Sequence, residues 1–226
     1  MMVAASITHL PEAAGQTFRR RGLMLVLASP PGGGKTTISR ALMDTDPQTV
    51  ISVSATTRDK RPGEVDGQHY YFVKPEKFKE MIDHGDMLEH ALVYNNYLYG
   101  TPRKPVEKAL SEGRDVIFDI DWQGTQKLTA LAKDDVVSIF LLPPSWAALE
   151  SRLHARAQDS EAEIIKRLGK AQEEISHYTD FQYVIVNNDL GDSIRQVRTI
   201  LEAERLKRTR QTDVQTFVDT LKPSKA

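Results

Sequence analysis

The segment ASPPGGGKTT, Ala28 to Thr37, sets a run of glycines directly before a lysine and a pair of threonines. Backbone N–H groups converging at a helix N-terminus bind an anion, glycines let the backbone come close to it, and a lysine adds a point charge. Gly32, Gly33, Gly34 and Lys35 supply those parts, Thr37 closes the run, and Thr36 is placed to offer its hydroxyl to a Mg²⁺ ion carried by phosphates. Ser29 stands where the pattern GxxxxGK[ST] has its first glycine. Pro30 and Pro31 remove two N–H donors, so the cradle must draw on residues 32 to 37. A glycine-rich turn with a solvated lysine is the plain alternative. The apolar run LMLVL before the segment and ISRALM, with helical spacing, after it are the strand and helix context that a phosphate loop requires.

A second constellation lies in SVSATTRDKRPGEVDGQHYYF, where Arg58 and Arg61 fall three apart with Ser54 upstream and Tyr70 downstream. Two guanidinium forks and a phenol make a clamp for a second phosphate group. An isolated RxxR reads more simply as an exposed basic loop, and the motifs that follow decide between the two.

These residues need a scaffold. Apolar, β-branched runs (LMLVL, VISVS, DVIFDI, VVSIFLL, YVIVN) alternate with helix candidates near 35–43, 103–112, 123–133, 145–154, 161–176 and 192–208, the signature of βαβ units around a mostly parallel sheet. Pro143 and Pro144 followed by Ser145 form a stop and N-cap. From about Ser54 to Thr101 the alternation breaks into strand-like pieces, HYYFV and MLEHALVY, around a helix candidate near 75–84, which reads as a β-rich insertion. HARAQDSE is polar and suits a mobile flap.

With 226 residues and a formal net charge of −1, the chain has room for one large core and no global basic bias toward nucleic acid or membrane. It has no cysteine, which excludes disulfides and thiolate metal sites and fits a cytoplasmic setting. No apolar run approaches the roughly 18 residues of a membrane span, and no secretory signal is expected in MMVAASITHLPEAAGQTFRR.

The chain resembles the guanylate kinases, the ATP:GMP phosphotransferase family. The matching pieces are GGGKTT, SVSATTRDKRPGEVDGQHYYF, MLEHA, NNYLYGTP, DIDWQG, the LPPS segment, IIKRLGKAQEEI and YVIVNNDL, in family order from Gly22 to about Arg208. The resemblance implies an α/β phosphate-loop nucleoside monophosphate kinase fold with helices flanking the sheet. It divides the chain into a flexible extension (1–20), a discontinuous CORE (21–53, 102–151, 166–210), a GMP-binding insertion (54–101), a LID (152–165) and a C-terminal tail (211–226). It implies that Arg58, Arg61, Tyr70 and Tyr99 hold the GMP phosphate while Ser54, Glu89 and Thr101 read the guanine. Asp119 and Asp121 would lie between the nucleotides on the GMP side, where a carboxylate, Asp119 first, can hold Mg²⁺ through water or the GMP ribose side; an N-capping pair for the next helix is the plain alternative. Arg152, Arg156 and Arg167 would close over ATP, with residues 29 to 37 and Asn187 on the ATP side. Lys35, Arg58, Asp119, Arg156 and Arg167 are the expected catalytic set.

Glu89 suits its part on chemical grounds: guanine presents N1–H and its 2-amino group side by side, and one carboxylate accepts both. Adenine offers an acceptor at N1, so a site built this way could reject it by about 10⁴-fold. The family often has RGTE where this flap has RAQD, and Leu98 in NNYLYGTP is one residue more than the usual NYYGT, so Tyr99 is assigned by its place before Gly100 and Thr101. The reaction expected is transfer of the ATP γ-phosphate to GMP or dGMP with Mg²⁺. The alternatives are a guanylate-kinase-like binding module without catalysis, which would have no need of Lys35 and Thr36, and a phosphate-loop kinase of phosphorylated sugars, which would not need Glu89 beside Ser54 and Thr101. Homodimerisation is left open by the sequence.

Overall fold

The structure, a computed structural model, describes residues 18–93, 97–155 and 161–222. The β-branched runs form a five-stranded sheet in the order β2-β7-β1-β8-β9, with every neighbouring pair parallel. Its strands are β1 (Met24–Ala28), β2 (Thr49–Ile51), β7 (Asp115–Phe118), β8 (Val136–Leu142) and β9 (Tyr183–Val186). The central β1 is buried along its whole length because helices cover both faces. Met24, Val26 and Ala28 pack into one layer with Phe118, Leu128 and Phe140. Leu25 and Leu27 pack into the other with Ile38, Leu42, Ile139 and Val197.

The helices are α1 (Lys35–Thr45), α3 (Arg103–Ser111), α4 (Trp122–Ala132), α5 (Trp146–His154), α6 (Glu161–Ser176) and α7 (Leu190–Arg205). Ser145 caps α5 as its sequence suggests, accepting from the Ala148 N–H at 3.1 Å. The last core helix starts earlier than expected, because Asp189 caps it by accepting from Asp192 N–H, and it ends at Arg205 rather than Arg208.

The insertion folds as a separate sheet in the order β4-β3-β6-β5, from β3 (Ala55–Thr56), β4 (Tyr71–Phe72), β5 (Met87–Val93) and β6 (Tyr97–Pro102), with α2 (Pro75–Asp83) burying Phe78 beneath it. The run VISVS is not one strand: the chain leaves the core sheet after Ile51 and enters the second sheet at Ala55. The strand β6 has little sequence signal, since Gly100 and Pro102 lower its β-propensity. No helix among the described residues is long and apolar enough to cross a membrane.

At the N-terminal ends of the parallel strands, Asp115 is fully buried. It accepts from Arg20 at 2.6 and 2.9 Å, Arg205 at 2.7 Å and the Leu23 N–H at 3.0 Å. Arg20 therefore belongs to the folded unit, and it bridges to Gln211. The expected tail likewise contains α8 (Val214–Thr220), whose Phe217 ring meets Phe18 at 5.3 Å. Asp115 opens β7, whose far end delivers Asp119 to the site. Asp115→Asn should cost about 3–5 kcal/mol, the loss expected when buried cations keep their place without their counter-charge, read as a lower urea midpoint. An unchanged midpoint would show that Asp46, 2.6 Å from Arg205, carries the network alone.

Candidate functional site

The end of β1 runs into a loop that doubles back before α1. Gly33 N–H donates to the Pro30 carbonyl at 2.8 Å, and Gly34 precedes the helix with φ of 99°. Gly33 is thus not a free donor in the cradle. The first-turn N–H donors of Lys35, Thr36 and Thr37 have no intrahelical acceptor. Ser29 fits because of a compensation: a Cβ on Gly33 would lie 2.6 Å from the Ser29 Cβ, so the glycine opposite makes the room that a glycine at 29 would have made.

Asn187, at the end of β9, donates its amide to the Gly33 carbonyl at 2.8 Å and accepts from the Ser193 hydroxyl at 3.0 Å. It is 4 % exposed, and it braces the loop from beneath while also lining the cavity beside Gly32, Gly34, Thr37 and Arg152. A Cβ on Gly34 would come within 2.3 Å of that amide.

Because Val26 pairs with Phe118, the ends of β1 and β7 are neighbours, and Lys35 Nζ rests 2.5 Å from Asp119 Oδ1. Asp121 caps α4 through the Gly124 N–H at 2.9 Å. It also lines a cavity of about 220 Å³ with Ser29 to Gly32, Gly34, Lys35, Thr36, Lys170 and Glu174. Burial pushes the Glu174 carboxyl above its ordinary value, against the pull of Lys170. Sequence reasoning missed Glu174. Its signal is an acid on the buried stripe Ile164, Ala171, Glu174 of α6. The helix is set against α4 by Trp122 stacking on His177, with centroids 3.5 Å apart.

In the insertion, the Arg58 guanidinium lies 5.5 Å from the centre of the Tyr70 ring, and Tyr70 and Tyr99 meet edge to face at 5.8 Å. The structure so places Tyr99, and not the exposed Tyr97, in the clamp. Burial raises the Tyr70 phenol above its usual pKa, which keeps it a hydrogen-bond donor. Glu64 binds Arg58 Nη2 at 2.7 Å with one oxygen and the Arg61 N–H at 2.8 Å with the other, and these hold its carboxyl below the usual range. Sequence reasoning missed Glu64, whose part shows only in its contacts with Arg58 and Arg61. The Arg61 side chain is at the surface.

Glu89 and Thr101 are partners across β5 and β6, and the Thr101 hydroxyl donates to Glu89 at 2.8 Å. Ala55 pairs with Gly100, so Ser54, one residue upstream, comes in beside Thr101. Burial pushes the Glu89 carboxyl up, opposed by Thr101 and Lys127. A cavity of about 400 Å³ joins Ser54, Tyr70 and Asp119 to Thr36, Ser39 and Ser52. The Ser39 and Ser52 hydroxyls are buried and have no protein partner, as in a cleft that expects a polar ligand.

On the other side of the loop, Arg152 donates to the Asn187 carbonyl at 2.9 Å and lines a cavity of about 340 Å³ with Gly32, Gly34, Thr37 and Asp189. Arg167 lies on α6, 3.7 Å from Glu163. Arg156 falls outside the described residues.

Fold and site together define a phosphate-loop α/β protein with two facing subsites, one on the core and one on the insertion. The guanylate kinase sequence profile matches residues 21–204. The chain is 57% identical over 206 residues to a guanylate kinase of Paramagnetospirillum magneticum, covering 91% of this chain and 96% of that one. It is 54% identical over 212 residues to a guanylate kinase of Rhodospirillum rubrum, covering 94% and 97%. The crystal structure of guanylate kinase from Anaplasma phagocytophilum superposes with a TM-score of 0.72 at 36% identity, covering 93% of this chain and all of that one. The chain belongs to the guanylate kinase family.

Asn187→Ala should leave the Gly33 carbonyl without its buried donor and lower stability by about 1–3 kcal/mol, measured by denaturant unfolding. A loss no greater than that of a surface substitution would mean the loop holds its shape unaided.

Proposed function

We propose that the chain transfers the γ-phosphate of ATP to GMP or dGMP, giving ADP and the guanosine diphosphate, with the roles divided as follows. The observation that carries this reading is the pairing of Lys35 with Asp119 at 2.5 Å, which sets the phosphate loop at the mouth of the cleft where Tyr70 and Ser54 also face. ATP binds with its phosphates on residues 32 to 37 and its outer portion toward Arg152 and Asp189. GMP binds with its phosphate on Arg58, Arg61, Tyr70 and Tyr99 and its base against Glu89, Thr101 and Ser54. The CORE is residues 21–53, 102–151 and 166–210, the GMP-binding unit 54–101 and the LID 152–165.

A phosphomonoester oxygen of GMP, largely dianionic near pH 7, attacks the γ-phosphorus. The bond to the β–γ bridging oxygen breaks, and the electron pair leaves with ADP. No general base is required, so the protein's work is alignment and charge stabilisation. Lys35, Arg156 and Arg167 would neutralise the transferred group, and closure of the LID excludes water that would otherwise take its place. Among the described residues no cluster of three acidic or histidine side chains gathers for a metal. Thr36 and Asp119, on either side of the Lys35 contact, would lend a hydroxyl and a carboxylate to a Mg²⁺ ion carried by the nucleotide. Bound there, Mg²⁺ supplies charge neutralisation across the ATP phosphates. The cysteine-free composition suits a reducing compartment, and we place the activity in the cytoplasm.

A coupled assay of ADP release with ATP and Mg²⁺, offering GMP, AMP, CMP and UMP in parallel, should give turnover with GMP. Measurable GMP binding without turnover would replace the kinase reading by a binding module. Lys35→Ala should lower kcat by about a hundredfold or more while GMP still binds, and unchanged turnover would remove the phosphate loop from the mechanism. Glu89→Gln should erode the preference for GMP over AMP, because the amide has one acceptor where guanine needs two. A preference equal to that of the parent would assign base recognition elsewhere.

A further inference from the structure

Helix α4 reaches out of the core to touch the insertion at a point next to the base-reading acid. Lys127 on α4 donates from Nζ to the His90 carbonyl on β5 at 3.0 Å, and His90 adjoins Glu89. Strand alternation turns the His90 side chain to the opposite face. The groups acting on Glu89 come from two elements. From β6, Thr101 donates a hydrogen bond, and from α4 Lys127 presents a positive charge and Asp121 a negative one. Lys127 is the cation among them, while burial and Asp121 both disfavour the ionised form.

The ionisation state of Glu89 decides what it can read. A carboxylate offers two acceptors, matching the adjacent guanine donors. A neutral carboxyl offers one acceptor and one donor, so guanine loses a hydrogen bond and the bare N1 of adenine gains one. We propose that Lys127 is a positioning residue for guanine selection, pinning β5 to α4 and supplying the positive charge that lets Glu89 meet the base as a carboxylate. This rests on the reading that Glu89 faces guanine. It adds a core residue to a specificity that the insertion's own side chains would otherwise carry alone. The sign follows from the chemistry: protonation of Glu89 raises KM for GMP as pH falls, and removing the Lys127 charge moves that rise to higher pH.

The test compares the full-length chain with Lys127→Gln, which retains a donor for the His90 carbonyl but no charge, with Lys127→Arg, which retains both, and with Glu89→Gln. KM for GMP and for ATP, kcat, and the GMP-to-AMP ratio of kcat/KM are measured from pH 5.5 to 8.5. In Lys127→Gln, KM for GMP at the acid end should rise about threefold or more over the parent. The rise should fade toward pH 8, with KM for ATP and kcat at saturating GMP within about twofold. The GMP-to-AMP ratio should fall in parallel, and Lys127→Arg should restore both. An unshifted acid limb in Lys127→Gln, or equal losses for ATP and GMP, overturns the proposal. Glu89→Gln separates this from failure of the underlying reading. If that variant keeps the parent's GMP preference and its acid limb, Glu89 does not read the base and the role of Lys127 falls with it.

Discussion

A cleft built to bind two phosphorylated molecules gathers cations that repel one another when the phosphates are absent, and the whole site is organised around relieving that repulsion. Lys35 rests on Asp119 and Arg58 on Glu64. Each acid holds its cation in place by a charge-assisted contact. Both pairs are partly shielded, with the Lys35 and Arg58 side chains 20 % and 10 % exposed, so a ligand that takes either cation must replace the interaction it displaces.

That arrangement holds only if the loop carrying Lys35 keeps its shape without a ligand. The strand before it is buried on both faces, and Asn187 grips the Gly33 carbonyl from below. Strain and polarity are thereby confined to residues 29 to 34, while the donors that would meet an anion project from the first turn of a well-packed helix. The insertion solves the matching problem differently. There β6 pairs antiparallel with both β3 and β5, and the register of Glu89 with Thr101 and of Ala55 with Gly100 fixes who faces whom.

The sequence made the core sheet legible because each strand is an apolar run and each helix an amphipathic one. The α6 limits and the Ser145 cap were readable for that reason. The insertion was only partly so: β6 carries glycine and proline, β3 and β4 are two residues each, and their pairing depends on contacts across the sheet rather than on periodicity. In the site, residues with a distinctive chemical type at fixed spacing, such as Lys35, Arg58 and Tyr70, stood out. Glu64 and Glu174 did not, because ordinary acids become informative only once folding shows what they touch. Asn187 was legible as a residue beside the loop, while its bracing of the Gly33 carbonyl emerges only from the fold.

The contact between the two ends of the folded unit carries a different implication. The Thr212 N–H donates to the Arg19 carbonyl at 2.8 Å, and Arg21 N–H to the Arg210 carbonyl at 2.9 Å. Both contacts lie at the end of the sheet where the parallel strands begin, opposite the phosphate loop. Between Arg19 and Thr212 the described backbone is therefore almost a closed ring, whose seam lies at the opposite end of the sheet from the phosphate loop. In such a ring the order in which the elements are joined is incidental to the chemistry: the polypeptide could be spliced across the seam and reopened in an exposed connection, leaving the cleft the same neighbours.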